Sequence, residues 1–207
     1  GDFIMTTASL IGKQAQTVAD IKAGFAQDQT YINNTIYLLG EMGVGKTYMS
    51  AYLATEYADK PSLFVVPSNV TTKFENVLAG FGVSSMTITS YAQAKAFDMS
   101  QLTEQAVILP HRFFKRFSEE NDVTLFGYVV IDEVHTFEKS ARECLLDILY
   151  QAHKATKMLL MTGTLFDASR RELTTMLHSS HTKLFHHYNM QYDAYYELNQ
   201  LFAQYVS

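Results

Sequence analysis

The chain is short of cysteine, of basic charge and of long apolar runs. Cys144 is its only cysteine, so no disulfide forms within the chain. A lone thiol fits a reducing compartment, and the expected location is cytoplasmic. No apolar run approaches the roughly 18 residues of a membrane helix, and no membrane partner is expected. The N-terminus lacks a basic stretch followed by an apolar one, so no secretory leader is read there. Lys and Arg number 16 against 21 Asp and Glu, for a net charge of −5. A protein wrapped in nucleic acid usually carries a basic excess, so any such contact here needs a local basic patch. No internal repeat or low-complexity tract is visible.

What is present is the material for a core. Of 207 residues, 47% are hydrophobic. At about 150 residues per domain, this is one large domain or one domain with appendages. Apolar positions Val18, Ile21 and Phe25 recur at helical spacing within 13–27. Residues 35–39 form a short apolar strand that ends at Gly40. A helix over 47–57 follows, then a strand over 62–66 stopped by Pro67. A helix over 69–79 comes next, with short strands over 86–89 and 106–109. Residues 111–118 read as helix, 125–131 as strand, 138–152 as helix, 157–161 as strand and 169–177 as helix. Strands apolar on both faces, alternating with helices, imply an α/β fold with a mainly parallel sheet covered on both sides. The Tyr- and Phe-rich stretch 191–206 has the pattern of an amphipathic helix. The expected division is a lobe over 1–180 and a Tyr-rich tail, or the start of a connection, over 181–207.

Gly40-Glu41-Met42-Gly43-Val44-Gly45-Lys46-Thr47 matches G-x-x-x-x-G-K-[ST] between a predicted strand and a predicted helix, the context that motif requires. Glycines let backbone N–H groups surround phosphates, and the helix N-terminus adds partial positive charge. Lys46 can reach the β- and γ-phosphates of ATP, and the Thr47 hydroxyl can bind Mg²⁺. Tyr48 flanks this loop on the helix. A chance match in a chain of this length has odds of roughly 1%.

Val129-Val130-Ile131-Asp132-Glu133-Val134-His135 puts two carboxylates where an apolar strand ends, the end of an open parallel sheet at which ligands sit. Asp132 is the expected Mg²⁺ ligand, and Glu133 the group that takes a proton from the attacking water or orients it. The bland alternative is an acidic strand-to-helix turn. Thr162-Gly163-Thr164 ends the next apolar strand, where its hydroxyls can bond the 132–135 segment. A plain turn is the competing reading.

His111-Arg112-Phe113-Phe114-Lys115-Arg116-Phe117 is the one basic and aromatic cluster. Arg112, Lys115 and Arg116 are candidate phosphate contacts. The three phenylalanines, at helical spacing, are better read as core. His178, His181, His186 and His187 cluster late in the chain, and a solvated surface is favoured there over a metal site.

Together these motifs resemble the first RecA-like lobe of a superfamily 2 helicase, most closely the Swi/Snf-type branch of DNA translocases. Glu41 to Thr47 is similar to that branch's first motif. Leu63-Phe64-Val65-Val66-Pro67-Ser68-Asn69 with Phe74 resembles motif Ia, Asp132-Glu133-Val134-His135 is a DExH form of motif II, and Leu159 to Thr164 resembles motif III. The resemblance covers roughly residues 13–177. It implies a three-layer P-loop fold, ATP and Mg²⁺ as ligands, and Gln14 as the adenine-reading glutamine, with Gln16 the competing choice. It also implies coupling of hydrolysis to movement through His135, Thr162, Gly163 and Thr164. Pro67, Ser68, Asn69 and the loop after 106–109 would face a nucleic-acid backbone, with Lys73 a further candidate and Arg170 and Arg171 weaker ones. Double-stranded DNA is the implied partner. The sequence departs from the family at Leu165, Ala168 and Thr136. None of the five arginines, Arg112, Arg116, Arg142, Arg170 and Arg171, sits in the arginine-rich motif of the family's second lobe.

The function expected is therefore ATP binding by one lobe of a DNA translocase or helicase. Hydrolysis would be efficient only with a second RecA-like lobe supplying an arginine finger, typically worth about 10³–10⁵ in rate. Two other readings stand beside it: a non-catalytic nucleotide- or partner-binding adaptor, and a restriction-type motor subunit. The intact Lys46, Thr47, Asp132 and Glu133 argue against the adaptor. A clamp-loader type of ATPase is disfavoured by the Thr-Gly-Thr triplet.

Overall fold

The computed structural model describes residues 10, 13–26, 35–40, 45–151, 156–163 and 183–188, except the side chains of 39–40, 149–151 and 183–188. Seven strands form one sheet: β1 (Thr35–Gly40), β2 (Ser62–Val66), β3 (Ser85–Thr87), β4 (Ala106–Pro110), β5 (Tyr128–Ile131), β6 (Lys157–Thr162) and β7 (Lys183–Tyr188). Their order across the sheet is β3-β4-β2-β5-β6-β1-β7, and every pairing is parallel. Six helices alternate with them: α1 (Lys13–Ala26), α2 (Lys46–Glu56), α3 (Thr71–Gly80), α4 (Tyr91–Ala96), α5 (Phe114–Glu120) and α6 (Lys139–Gln151). This is the α/β, doubly covered parallel sheet expected from the apolar strands.

Alternation along each strand divides the core in two. Leu63, Val65, Val107, Leu109, Val129, Ile131, Met158 and Leu160 face one layer, with α4, α5 and α6. Phe64, Val66, Ile108, Tyr128, Val130, Leu159 and Met161 face the other, with α1, α2 and α3. Both sides of the central strands are therefore dry, which is why they read as unbroken apolar runs. Phe64 is fully buried. Its ring centroid lies 5.8 Å from that of Phe74 and 6.0 Å from that of Tyr128. Truncating such a ring to alanine costs about 3–5 kcal/mol. The Tyr128 phenol donates to the Ser50 carbonyl at 2.9 Å, tying β5 to α2 across this layer.

Several boundaries moved for local reasons. The strand expected from 125 begins at Tyr128, because Asp122 caps a 3-10 turn over Val123–Leu125 by accepting from the Thr124 amide. The helix expected over 69–79 is a 3-10 turn over Ser68–Val70 followed by α3. Helix α4 was not anticipated. It is six residues long and is opened by Ser90, whose side chain accepts from the Gln93 amide. Strand β7, also unanticipated, pairs with β1. It lies in the stretch assigned to the tail. The helices expected over 169–177 and 191–206 lie outside the described residues.

Candidate nucleotide and nucleic-acid site

The sheet brings the sequence motifs to one edge. Strand β6 lies between β1 and β5, with Leu39 level with Thr162 and Ile131 level with Leu160. The phosphate-loop strand, the Thr162-Gly163 end and the Asp132-Glu133 end therefore share the carboxyl edge where open α/β sheets bind ligands.

Gly45 is the N-cap of α2 and has φ 93°, a left-handed conformation natural to glycine. A Cβ at this position would overlap the Gln14 side-chain amide. Gln14 of α1 thus lies directly against Gly45. Gly45 offers no side-chain acceptor to the first turn of α2, which Lys46 and Thr47 open. Such a turn presents amides to an anion. Lys46 feels the carboxylates of both Glu133 and Asp132, which hold its proton, while burial works against the charge and prevails in lowering its pKa. Gly43 and Val44 lie outside the described residues. Tyr48 is 42% exposed, with its ring 6.4 Å from Phe81 and edge-on to it.

Asp132 is only 8% exposed, and its amide donates to the Val65 carbonyl at 2.8 Å. Burial first and the neighbouring Glu133 second push its pKa up to about 6, against the pull of Lys46 and Lys73. Glu133 has φ 50°, the one non-glycine residue with positive φ among those described. That conformation costs about 1–2 kcal/mol in an L-residue. It turns the chain sharply into a 3-10 turn over Val134–Thr136.

His135 joins this turn to β6. Thr162 Oγ1 lies 2.6 Å from His135 Nδ1, and His135 Nε2 lies 3.4 Å from Glu133 Oε2. The imidazole thus stands between the Thr162 hydroxyl and the Glu133 carboxylate. The path from Thr162 through His135 to Glu133 is continuous. Gly163 follows directly on the strand, and Thr164 lies outside the described residues.

The donor set fits Mg²⁺ and a nucleotide triphosphate. A buried carboxylate raised by desolvation and by a second carboxylate is relieved by a hard cation. Among the described residues no three His, Cys, Asp or Glu form a cluster able to hold a metal alone.

A second feature lies on the β2 and β4 side of the same edge. A cleft of about 610 Å³ is lined by residues that include Pro67, Ser68, His111, Arg112, Lys115, Arg116 and Thr136. Arg112 donates to Ser68 Oγ at 3.1 Å, and its guanidinium lies 4.6 Å from the Phe113 ring centroid. Lys115 and Arg116 lie 4.0 Å and 3.7 Å from Glu119. Phe113, Phe114 and Phe117 are buried, so the aromatic half of this cluster is core. Asn69, in the 3-10 turn, does not line the cleft. Lys73 does not line it either, and its charge acts on Lys46 and Asp132. Arg170, Arg171, His178 and His181 lie outside the described residues, as do the side chains of His186 and His187.

Sequence reasoning missed one residue. His111 Nε2 lies 2.7 Å from the Asp132 carbonyl, and burial lowers the ring's pKa to about 4. The only hint was its place in the basic and aromatic cluster.

Comparison with known proteins agrees with this geometry. The ATPase core of the SWI2/SNF2 protein of Sulfolobus solfataricus, solved with double-stranded DNA, superposes with a TM-score of 0.60 at 16% identity, over 86% of this chain and 37% of that one. The UvsW helicase of bacteriophage T4 superposes with a TM-score of 0.58 at 15% identity, over 91% of this chain and 63% of that one. The chain thus spans less than two thirds of either protein. No curated protein sequence matches it significantly. Residues 8–167 match the family described as the Type III restriction enzyme, res subunit. The chain belongs to that family, and its fold is the RecA-like lobe that it shares with these two structures.

Proposed function

We propose that this chain is the ATP-binding lobe of an ATP-dependent DNA translocase. The observation that carries the reading is the half-buried Lys46, at the N-terminus of α2, within electrostatic influence of Glu133 and Asp132 at the end of β5. Gly43, Val44, Gly45, Lys46 and Thr47 would hold the phosphates, with Gln14 and Tyr48 on the nucleoside side. Thr47 and Asp132 would hold Mg²⁺, which supplies charge neutralisation between phosphate oxygens. Glu133 orients the attacking water and accepts its proton. Lys46 offsets negative charge on the phosphoryl oxygens. His135 and Thr162, with Gly163 and Thr164, relay a change at Glu133 to β6.

DNA is assigned to the cleft. Ser68 and Arg112 are already joined across the β2 and β4 ends, and Lys115 and Arg116 add cations beside them. Pro67 and Asn69 complete this edge, and Lys73 on α3 is a further candidate contact. The family match favours a restriction-type motor as the assembly in which the lobe works. A second RecA-like lobe would supply the arginine finger. The location remains assigned as cytoplasmic on the lone thiol; among the described residues no helix is long and apolar enough to cross a membrane.

ATP turnover by the 207-residue chain, with and without duplex DNA, tests this reading. Saturable MgATP binding with feeble turnover is expected. Vigorous, DNA-stimulated hydrolysis abolished by Lys46→Ala would contradict the need for a second lobe. Absence of MgATP binding would return the chain to the adaptor class.

A further inference from the structure

His111 lies at the end of β4, outside the phosphate loop, the carboxylate pair and the His135 relay. Its Nε2 is 2.7 Å from the Asp132 carbonyl oxygen. A carbonyl only accepts, so Nε2 must be the protonated nitrogen. Phe137 packs edge-on to the ring, with centroids 4.6 Å apart and planes at 89°, and fixes its orientation. On the other side of the same turn, the Thr136 hydroxyl donates to the Glu133 carbonyl at 2.8 Å and lies 3.4 Å from His111 Nδ1. The carbonyls before and after the Glu133 Cα are thus both held by side chains.

That arrangement has a geometric consequence. The Asp132 carbonyl belongs to the peptide unit that precedes Glu133. Rotation of that unit changes ψ of Asp132 and φ of Glu133, and the latter stands at 50° in the left-handed region. Released from its bond, an L-residue relaxes out of that region. A change of that φ alters the angle between the Asp132 and Glu133 side chains. His111 also lines the cleft, and the adjacent Arg112 is bonded to Ser68 across it. Displacement of this loop therefore pulls on the hydrogen bond to Asp132.

We propose that His111 is a positioning residue that holds the Asp132–Glu133 peptide in its strained setting and so aims Asp132 at Mg²⁺. The inference rests on the ATPase reading of the site. It adds a second route from the cleft to the carboxylates, separate from His135 and Thr162. Outer-shell partners of this kind are worth about 10–100-fold in metal affinity.

The test uses the 207-residue chain and a fluorescent ADP analogue, titrated in Mg²⁺ and in EDTA. The Mg²⁺ contribution is the ratio of the two dissociation constants. His111→Leu should cut that ratio by about tenfold and leave the EDTA affinity within about twofold. His111→Asn, whose amide stops short of the carbonyl, should behave alike and stands in if the leucine variant melts early. His111→Gln keeps an N–H within reach and should restore the ratio. A ratio unchanged in the leucine and asparagine variants overturns the inference, as does a glutamine variant that falls equally far. An EDTA affinity that falls as much as the Mg²⁺ affinity marks a merely structural role and also overturns it. Parental protein that binds no nucleotide overturns the ATPase reading itself, and this inference with it.

Discussion

The carboxyl edge of the sheet carries two charged regions built on opposite terms. At the β1 and β5 ends the charges are few, largely buried and mutually dependent: Lys46 faces Asp132 and Glu133, and burial moves the pKa of both Lys46 and Asp132. At the β2 and β4 ends Lys115 and Arg116 stand about half exposed and pair loosely with Glu119 on their own helix. Exposed pairs of this sort contribute at most about 1 kcal/mol. Chemistry on a phosphate needs fixed, desolvated groups, whereas recruitment of a polyanion needs only accessible charge. The contrast is how a chain of net charge −5 could offer the nucleic-acid surface proposed for the cleft.

Breaking the buried region should have the largest effect. Lys46→Ala removes the cation that offsets phosphate charge, and Mg·nucleotide affinity should fall by about 100-fold, read by titration calorimetry. Asp132→Asn separates stability from function. The raised pKa of about 6, against 3.8 for the free group, means that the folded, metal-free chain binds a proton more readily than the unfolded one. This group's share of stability is therefore full below about pH 3.8 and lost as pH rises through about 6. In EDTA at pH 7 the asparagine variant should be more stable, on the order of 2 kcal/mol in urea denaturation, while its Mg²⁺-dependent nucleotide binding is lost. His111 works in the opposite sense. Burial lowers its pKa from 6.5 to about 4, so its share is present above pH 6.5 and lost as pH falls through 4.

The exposed region should respond more gently. Alanine at Arg112, Lys115 and Arg116 together should weaken duplex DNA binding by about tenfold and flatten its salt dependence, with Mg·nucleotide affinity unchanged. Tyr37 supplies the control. Its phenol is buried on β1 with no hydrogen-bond partner among the described residues. Tyr37→Phe should raise stability by about 1 kcal/mol without touching either ligand, unlike the stabilising change at Asp132.

Local pattern made much of this legible. Asp132-Glu133 ends the apolar strand β5 and Lys46-Thr47 opens the helix after β1, and parallel pairing carries both to one edge, so their shared position was readable. Phe113 and Phe117 were readable as core from their spacing. His111 was not readable, because its partner is a backbone carbonyl 21 residues away, and hydrogen bonds to carbonyls leave no trace in residue type. Lys73 illustrates the converse. Its place after motif Ia suggested a nucleic-acid contact, and the structure adds that its charge acts on Lys46 and Asp132. The Glu133 backbone was equally hidden, since left-handed geometry is signalled by glycine or asparagine and neither is there.

The central claim is that the α2 N-terminus and the β5 end form one Mg·nucleotide site apart from the cleft. Amide chemical-shift mapping of the chain with Mg·ADP tests it most directly. The account predicts shifts at Gly45 to Tyr48, Asp132 to His135, and Thr162 and Gly163. Shifts centred on Ser68, Arg112 and Lys115, with Lys46 and Asp132 unmoved, would contradict it.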